Sequence, residues 1–121
     1  MPLKEIRPML YTDQVGPTIV FYTSRLGFSC VAGGEEEGWA ALRRDDIEID
    51  LSRPNAHIPF SAPQFTGSFY IITEDVDTLW AELKDKARVC YPLESFEYGM
   101  REFAIYDNNG YLLQFGQELP D

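Results

Sequence analysis

The sequence predicts an α+β fold: two tandem βαβββ units forming a curved mixed sheet with the helices on its convex side. Three observations carry this. Two amphipathic stripes recur at a shift of 61 residues, strand-like runs flank each stripe in the same order, and turn signals recur between them. The repeats span about residues 1–61 and 62–121 of a chain of 121 residues, read as one domain.

The first unit opens with a strand over Glu5 to Thr12. Val15, Ile19, Tyr22 and Leu26 then fall at i, i+4, i+7 and i+11, one face of a helix. Asp13 is the expected N-terminal cap, Pro17 suits the first turn and Gly27 the C-terminal stop. Strands follow at Phe28 to Ala32, Trp39 to Arg44 and Ile47 to Ser52, with Asp45-Asp46 as the last turn. Arg53 to Gly67 holds three prolines and no period, so it reads as a connector.

The second unit repeats the plan. Ser68 to Thr73 is its first strand, and Glu74-Asp75 precede the stripe Val76, Trp80, Leu83 and Ala87. Strands are expected at Val89 to Tyr91, Arg101 to Tyr106 and Tyr111 to Gly116. Gly99 repeats Gly38, and Asp107-Asn108-Asn109-Gly110 carries an Asn-Gly hairpin signal. Strand parity puts Ile47, Ile49 and Leu51 under the first helix and Glu48, Asp50 and Ser52 on the other face. In the last strand Tyr111, Leu113 and Phe115 are the packed set, and Leu112, Gln114 and Gly116 face away. Asp50 and Gln114 thus hold matching places on a polar, aromatic, concave side, where ligands bind.

Composition excludes several functions. Ten Lys and Arg stand against twenty Asp and Glu, a net charge of −10, which argues against nucleic acid and against an anionic membrane surface. Residues 1–61 carry six cations and nine anions, and residues 62–121 four and eleven. Apolar runs such as Phe69 to Ile72 are far short of the roughly 20 residues of a membrane span. The opening Met-Pro-Leu-Lys-Glu-Ile-Arg-Pro lacks a signal-peptide apolar region, so a cytoplasmic location is expected. His57, the single histidine, reads as a loop residue, and no two-His metal site or His-paired nucleophile can form within one chain. Cys30 and Cys90 read as small buried strand residues, and Glu35-Glu36-Glu37 as an exposed turn. Phe60 and Phe65 are expected to anchor the core or a loop.

Phe21-Tyr22 followed by Arg25-Leu26-Gly27-Phe28, with the closing run Tyr106 to Leu113, makes the duplicated unit resemble the vicinal oxygen chelate superfamily. That group includes glyoxalase I, extradiol dioxygenases, fosfomycin-resistance enzymes and bleomycin-resistance proteins. Its metal enzymes place ligands at four strand positions that correspond here to Arg7, Asp50, Ser68 and Gln114. Arg7 would repel a metal, Ser68 is a poor ligand, and only Asp50 and Gln114 offer suitable oxygens. The resemblance is nearest to the bleomycin-resistance proteins, metal-free drug binders that work as dimers. Arg44-Asp45-Asp46-Ile47 and Tyr98-Gly99-Met100-Arg101-Glu102-Phe103-Ala104 carry it, the latter with Tyr for the family's Trp and one extra residue, Met100.

The resemblance implies that Trp39 and Tyr98, from opposite subunits, stack on a flat ligand, with Ser52 and Tyr70 or Phe69 as further pocket positions. Asp50, Glu102 and Gln114 complete the expected ligand-binding set, with Glu48 and Glu102 able to meet a cationic group. Pro8 matches a family proline at which the first strand crosses to the partner, so a strand-exchanged homodimer is expected. The expected activity is capture of a small, flat, cationic antibiotic or similar metabolite, such as a bleomycin-family drug, with no cofactor and no catalytic residue. The rival reading is a metal-dependent glyoxalase or dioxygenase built on Asp50 and Gln114, and a third is a binding module for an unrelated metabolite.

Overall fold

The computed structural model describes residues 1–57 and 59–120. The chain divides into two compact units, Met1–Pro63 and Gln64–Asp121. Unit 1 runs β1 (Met9–Tyr11), α1 (Val15–Arg25), β2 (Ser29–Gly34), β3 (Trp39–Arg44) and β4 (Ile47–Ser52). Unit 2 runs β5 (Phe69–Ile72), α2 (Val76–Leu83), β6 (Arg88–Ser95), β7 (Met100–Tyr106) and β8 (Leu112–Glu118). The sheet orders are β1-β4-β3-β2 and β5-β8-β7-β6, and in each the first strand runs parallel to the last while the other pairs are antiparallel. Two βαβββ units are therefore present, as the 61-residue repeat predicts. No helix among the described residues is long and apolar enough to cross a membrane.

Each helix buries most of the stripe read from the sequence. Val15 and Tyr22 in α1, Leu26 just after it, and Val76 and Leu83 in α2 are at most 3% exposed, whereas Ile19 and Trp80 are half-buried and Ala87 falls beyond the end of α2 at Leu83. The ring of Tyr22 meets Phe28 edge-on at 5.3 Å, and Trp80 lies 5.1 Å from Phe103 of β7. On the sheets the covered face follows parity: Leu10, Ala40, Leu42, Ile49 and Leu51 in unit 1, Phe103, Ile105, Leu113 and Phe115 in unit 2.

Helix ends differ between the repeats. Asp75 caps α2 as expected, accepting from the Thr78 N–H at 3.2 Å. Asp13 does not cap α1. Gln14 holds that position without a side-chain cap bond, and the buried Thr12 hydroxyl accepts the Gln14 N–H at 2.9 Å. A cap is worth about 1 kcal/mol and a buried large side chain about 1.5–3 kcal/mol, so burial of Tyr22 and Leu26 suffices to hold α1. At its C-terminus Gly27 takes φ +76°, and Arg44 donates to the Leu26 carbonyl at 2.8 Å, a cation on the negative end of the helix.

Other expectations change. The strand expected over Glu5 to Thr12 shrinks to Met9–Tyr11, because residues 1–7 are exposed and only Met9, Leu10 and Tyr11 register with β4. Cys30 and Cys90 are free and exposed rather than buried, since β2 and β6 are the outer strands of their sheets. The Asn-Gly signal closes a longer loop between Tyr106 and Leu112. Asp107 accepts the N–H groups of Asn109 and Tyr111 at 2.8 and 2.9 Å, and only Gly110 there has positive φ. His57 and Glu35-Glu36-Glu37 are exposed as expected, and Phe65 packs on Phe69 at 4.6 Å while staying half exposed.

Gly33 gives the sharpest test of the backbone. It sits at φ +74°, and a Cβ would collide with the Trp39 carbonyl oxygen and lie 3.0 Å from the Ala40 Cα across the β2–β3 pair. Gly33→Ala is expected to lower unfolding free energy by about 1–3 kcal/mol, read from the urea midpoint; an unchanged midpoint would refute the close approach.

Candidate functional site

With one helix per sheet, the second face of each sheet is free of helix, and strand alternation decides what it carries. In unit 2 register places Tyr70 beside Gln114, Gln114 beside Ala104 and Ala104 beside Tyr91, with Glu102 two residues from Ala104. These side chains form one hydrogen-bonded network. Tyr70 and Tyr98 donate to Glu102 Oε1 at 2.9 and 2.7 Å, and Tyr91 donates to Oε2. The Tyr91 oxygen accepts from Gln114 Nε2 at 2.9 Å, and Gln114 Oε1 accepts from Ser68. The amide of Gln114 is thereby oriented, and every donor from Ser68 to Tyr91 points toward the carboxylate, an arrangement in which the bonds polarise one another.

Glu102 is 1% exposed, and no cation pairs with it among the described residues. Burial would raise its pKa, but the hydrogen bonds from Tyr91, Tyr98 and Tyr70 reverse the effect and hold it below the usual glutamate value. The phenols respond in the opposite sense. Burial and the bond to Glu102 push Tyr70 up to about 12, the bond to Glu102 and then burial push Tyr98 up to about 12, and Tyr91 is raised too. Tyr98 also stacks on Phe96, with ring centroids 5.3 Å apart and planes 9° apart, so one of its faces is taken. The residue is still 63% exposed, and Tyr70 is 43% exposed.

In unit 1 the equivalent face carries Met9, Asp50 and Ala41 in one row, Tyr11, Ser52 and Trp39 in the next, and Glu48 opposite Arg43. Met9 pairs with Asp50 as Tyr70 pairs with Gln114, so Asp50 and Gln114 hold matching positions, as parity predicts. By the same register Trp39 in unit 1 holds the position that Glu102 holds in unit 2. Trp39 is 43% exposed, and the Ser52 hydroxyl donates to the Arg53 carbonyl. Arg7, ahead of β1, is ion-paired with Glu5 at 3.1 Å and lies 3.2 Å from Glu48 Oε2.

Glu48 Oε2 and Asp50 Oδ1 are both buried without a hydrogen-bond partner. Arg7 therefore attracts Glu48 through charge and not through an aligned bond. Burial first, then the neighbouring Glu48 carboxyl, raise Asp50 to about 6, against the opposing charge of Arg7.

The metal positions of the resemblance can now be tested on their chemistry. Arg7 brings a guanidinium to the first, Ser68 and Gln114 bond each other, and no group of three His, Cys, Asp or Glu side chains that could hold a metal ion occurs among the described residues. Two carboxylates with an arginine beside them do not fit a resident divalent ion, which takes at least three good donors in enzymes of this kind.

Of the sequence-derived site residues, Tyr70, Tyr98, Glu102, Gln114 and Ser68 come together in unit 2, and Trp39, Asp50 and Ser52 share the helix-free face of unit 1. Glu48, read from the sequence as able to meet a cationic group, shares that face with Asp50, and Tyr91 was not among the expected residues. Tyr91 escapes parity because β6 has register irregularities on both sides of it.

Residues 6–115 match the Glyoxalase/Bleomycin resistance protein/Dioxygenase superfamily. The chain belongs to that superfamily. Among similar solved structures is a glyoxalase/bleomycin resistance protein/dioxygenase from Nocardioides, 15% identical with a TM-score of 0.78, covering 98% of this chain and 85% of that one. The bleomycin-binding protein of bleomycin-producing Streptomyces verticillus, in complex with copper(II)-bleomycin, is 23% identical with a TM-score of 0.70, covering 100% of this chain and 99% of that one. A lactoylglutathione lyase from Agrobacterium tumefaciens is 17% identical with a TM-score of 0.67, covering 96% and 94%. At these identities the likeness establishes the shared superfamily fold. No curated protein sequence matches the chain.

The unit 1 carboxyl pair of this superfamily member gives a pH prediction. The folded protein binds the Asp50 proton more tightly than the unfolded chain, so stability falls as pH rises from about 4 through about 6, and ionised Asp50 is a burden at higher pH. A rise of about two pKa units corresponds to about 3 kcal/mol, which partial exposure reduces to about 1–2 kcal/mol. Asp50→Asn is expected to stabilise the protein by that amount near pH 8 and to be neutral near pH 4 in urea unfolding. A loss of stability near pH 8 would contradict the assignment.

Proposed function

We propose that the protein is a bleomycin-resistance-like binder that captures a small, flat, cationic antibiotic or similar metabolite in a crevice completed by a second copy of the chain. It acts by stoichiometric capture in the cytoplasm and needs neither a metal nor a catalytic side chain. The observation that carries this reading is that exposed rings and carboxylates share the helix-free sheet faces: Trp39 lies on the same face as Asp50 and Glu48, and Tyr70 and Tyr98 bond to Glu102. Flat rings offer stacking surface worth about 0.5–1.5 kcal/mol per pair beyond area burial. The carboxylates and the net charge of −10 favour a cation and speed its approach.

The superfamily also holds enzymes, and the donor set argues against a metal-dependent glyoxalase or dioxygenase here. Homodimerisation, with exchange of the first strand at Pro8, is part of the proposal, because the helix-free faces leave ring surface for a second copy to cover.

Isothermal calorimetry with bleomycin, metal-free and copper-loaded, at high and low concentrations of added zinc or nickel, tests the reading. Binding at about micromolar concentration or tighter, independent of added metal, is expected. Trp39→Ala and Tyr98→Ala should each weaken it at least about tenfold, or about 1.4 kcal/mol. No heat with either form of the drug would overturn the reading, as would affinity unchanged in both variants.

A further inference from the structure

Three phenols of unit 2 end on one carboxylate that no cation neutralises, and this needs a reason. Three hydroxyl donors fill three of the carboxylate's four acceptor sites, two on Oε1 and one on Oε2. Glu102 is 1% exposed, so a ligand's ammonium or guanidinium would have to move a covering side chain to reach the fourth. The rings themselves are accessible: Tyr98 is 63% and Tyr70 43% exposed. A phenol has two rotatable side-chain torsions; fixing its oxygen sets the direction of the ring axis, and the preference of the O–H for the plane of the ring then favours one ring orientation. Phe96, stacked on one face of Tyr98, holds that ring from the side, while Glu102 holds its end. Donation to a full negative charge also draws the O–H bond toward the carboxylate and leaves the ring richer in electrons. An electron-rich ring face attracts a planar cation more strongly than a neutral molecule of the same area.

We propose that Glu102 is a positioning residue of the binding face: it fixes and polarises the rings of Tyr70 and Tyr98, and so selects planar cations over neutral planar molecules without touching the ligand. The proposal deepens the capture reading and rests on it. The role assigned to Glu102 differs from that of a direct counter-ion, because its oxygens are buried and its charge acts through the rings. Tyr91 joins the two halves of the network, donating to Glu102 and accepting from Gln114, which Ser68 orients in turn.

Two measurements separate this from the capture reading itself. The first uses no ligand: ultraviolet titration of the seven tyrosines. In the native protein the three phenols bonded to Glu102 should remain protonated near pH 11, where ordinary tyrosines are ionised, and Tyr106, raised by its bond with Cys90, is independent of Glu102. In Glu102→Gln, which keeps the shape and loses the charge, all three should ionise at lower pH than in the native protein, Tyr98 moving most because its bond to Glu102 is the largest cause of its shift, while burial still holds Tyr70 and Tyr91 up. Seven tyrosines ionising together in the native protein would overturn the proposal whether or not bleomycin binds.

The second measurement compares N-methylquinolinium with quinoline, two flat probes of near-equal area that differ in charge near pH 8. The native protein should prefer the cation at least about tenfold, and Glu102→Gln should reduce that preference to about threefold or less. Tyr98→Phe keeps the exposed ring and loses its bond to Glu102. It should leave two late-ionising phenols on Glu102 and lower the preference in the same direction, which keeps the test decisive if Glu102→Gln does not fold. No preference in the native protein, or a preference unchanged in both variants, would refute the proposal even where bleomycin binds.

Discussion

Each four-stranded sheet has one helix to cover two faces, and most of the molecule's chemistry follows from that shortage. Alternation along a strand sends every second residue to the covered side, where Leu42, Ile49, Leu51, Phe103, Ile105 and Leu113 are buried almost completely. Their neighbours are committed to the other face by geometry alone. A face without a helix has to satisfy its own polar groups or present them to something else. The two repeats answer this demand differently.

In unit 2 the answer is internal. A buried carboxylate is costly unless hydrogen bonds replace its lost water, and Tyr70, Tyr91 and Tyr98 supply three. Gln114, one of the four positions the sequence resemblance marked for a metal, is held by Ser68 and Tyr91. Unit 1 has the carboxyls but not the donors. Glu48 and Asp50 keep buried oxygens without hydrogen-bond partners, and Arg7 offers only charge at 3.2 Å. One copy of the duplicated face carries three tyrosines tied to one carboxylate, and the other a carboxyl pair that Arg7 and Arg43 offset by charge, on the same face as Trp39.

Much of this was legible in the sequence because it depends on period. The stripes from Val15 and Val76, the bounds of β3 and β4, and the matching of Asp50 with Gln114 all follow from counting residues. Gly38 and Gly99, matched by the 61-residue shift, both take positive φ. What escaped depends on position within the sheet or on irregular register. Cys30 and Cys90 are exposed because their strands are outermost, which alternation does not encode. Tyr91 sits between two irregularities that break parity, and the N-cap of α1 falls on Gln14 rather than Asp13, a one-residue choice that pattern does not resolve. The convergence of three tyrosines on Glu102 is a tertiary fact, since its members are spread over 33 residues of sequence from Tyr70 to Glu102.

The central claim is that the helix-free faces bind the ligand. It is tested most directly by mapping backbone and aromatic NMR shifts while metal-free bleomycin is added. The account predicts that the largest changes fall on Trp39, Ser52, Tyr70 and Tyr98, with the outward sides of α1 and α2 unmoved. Changes centred on the helices, or changes that arise only when a divalent metal is supplied with the drug, would contradict it.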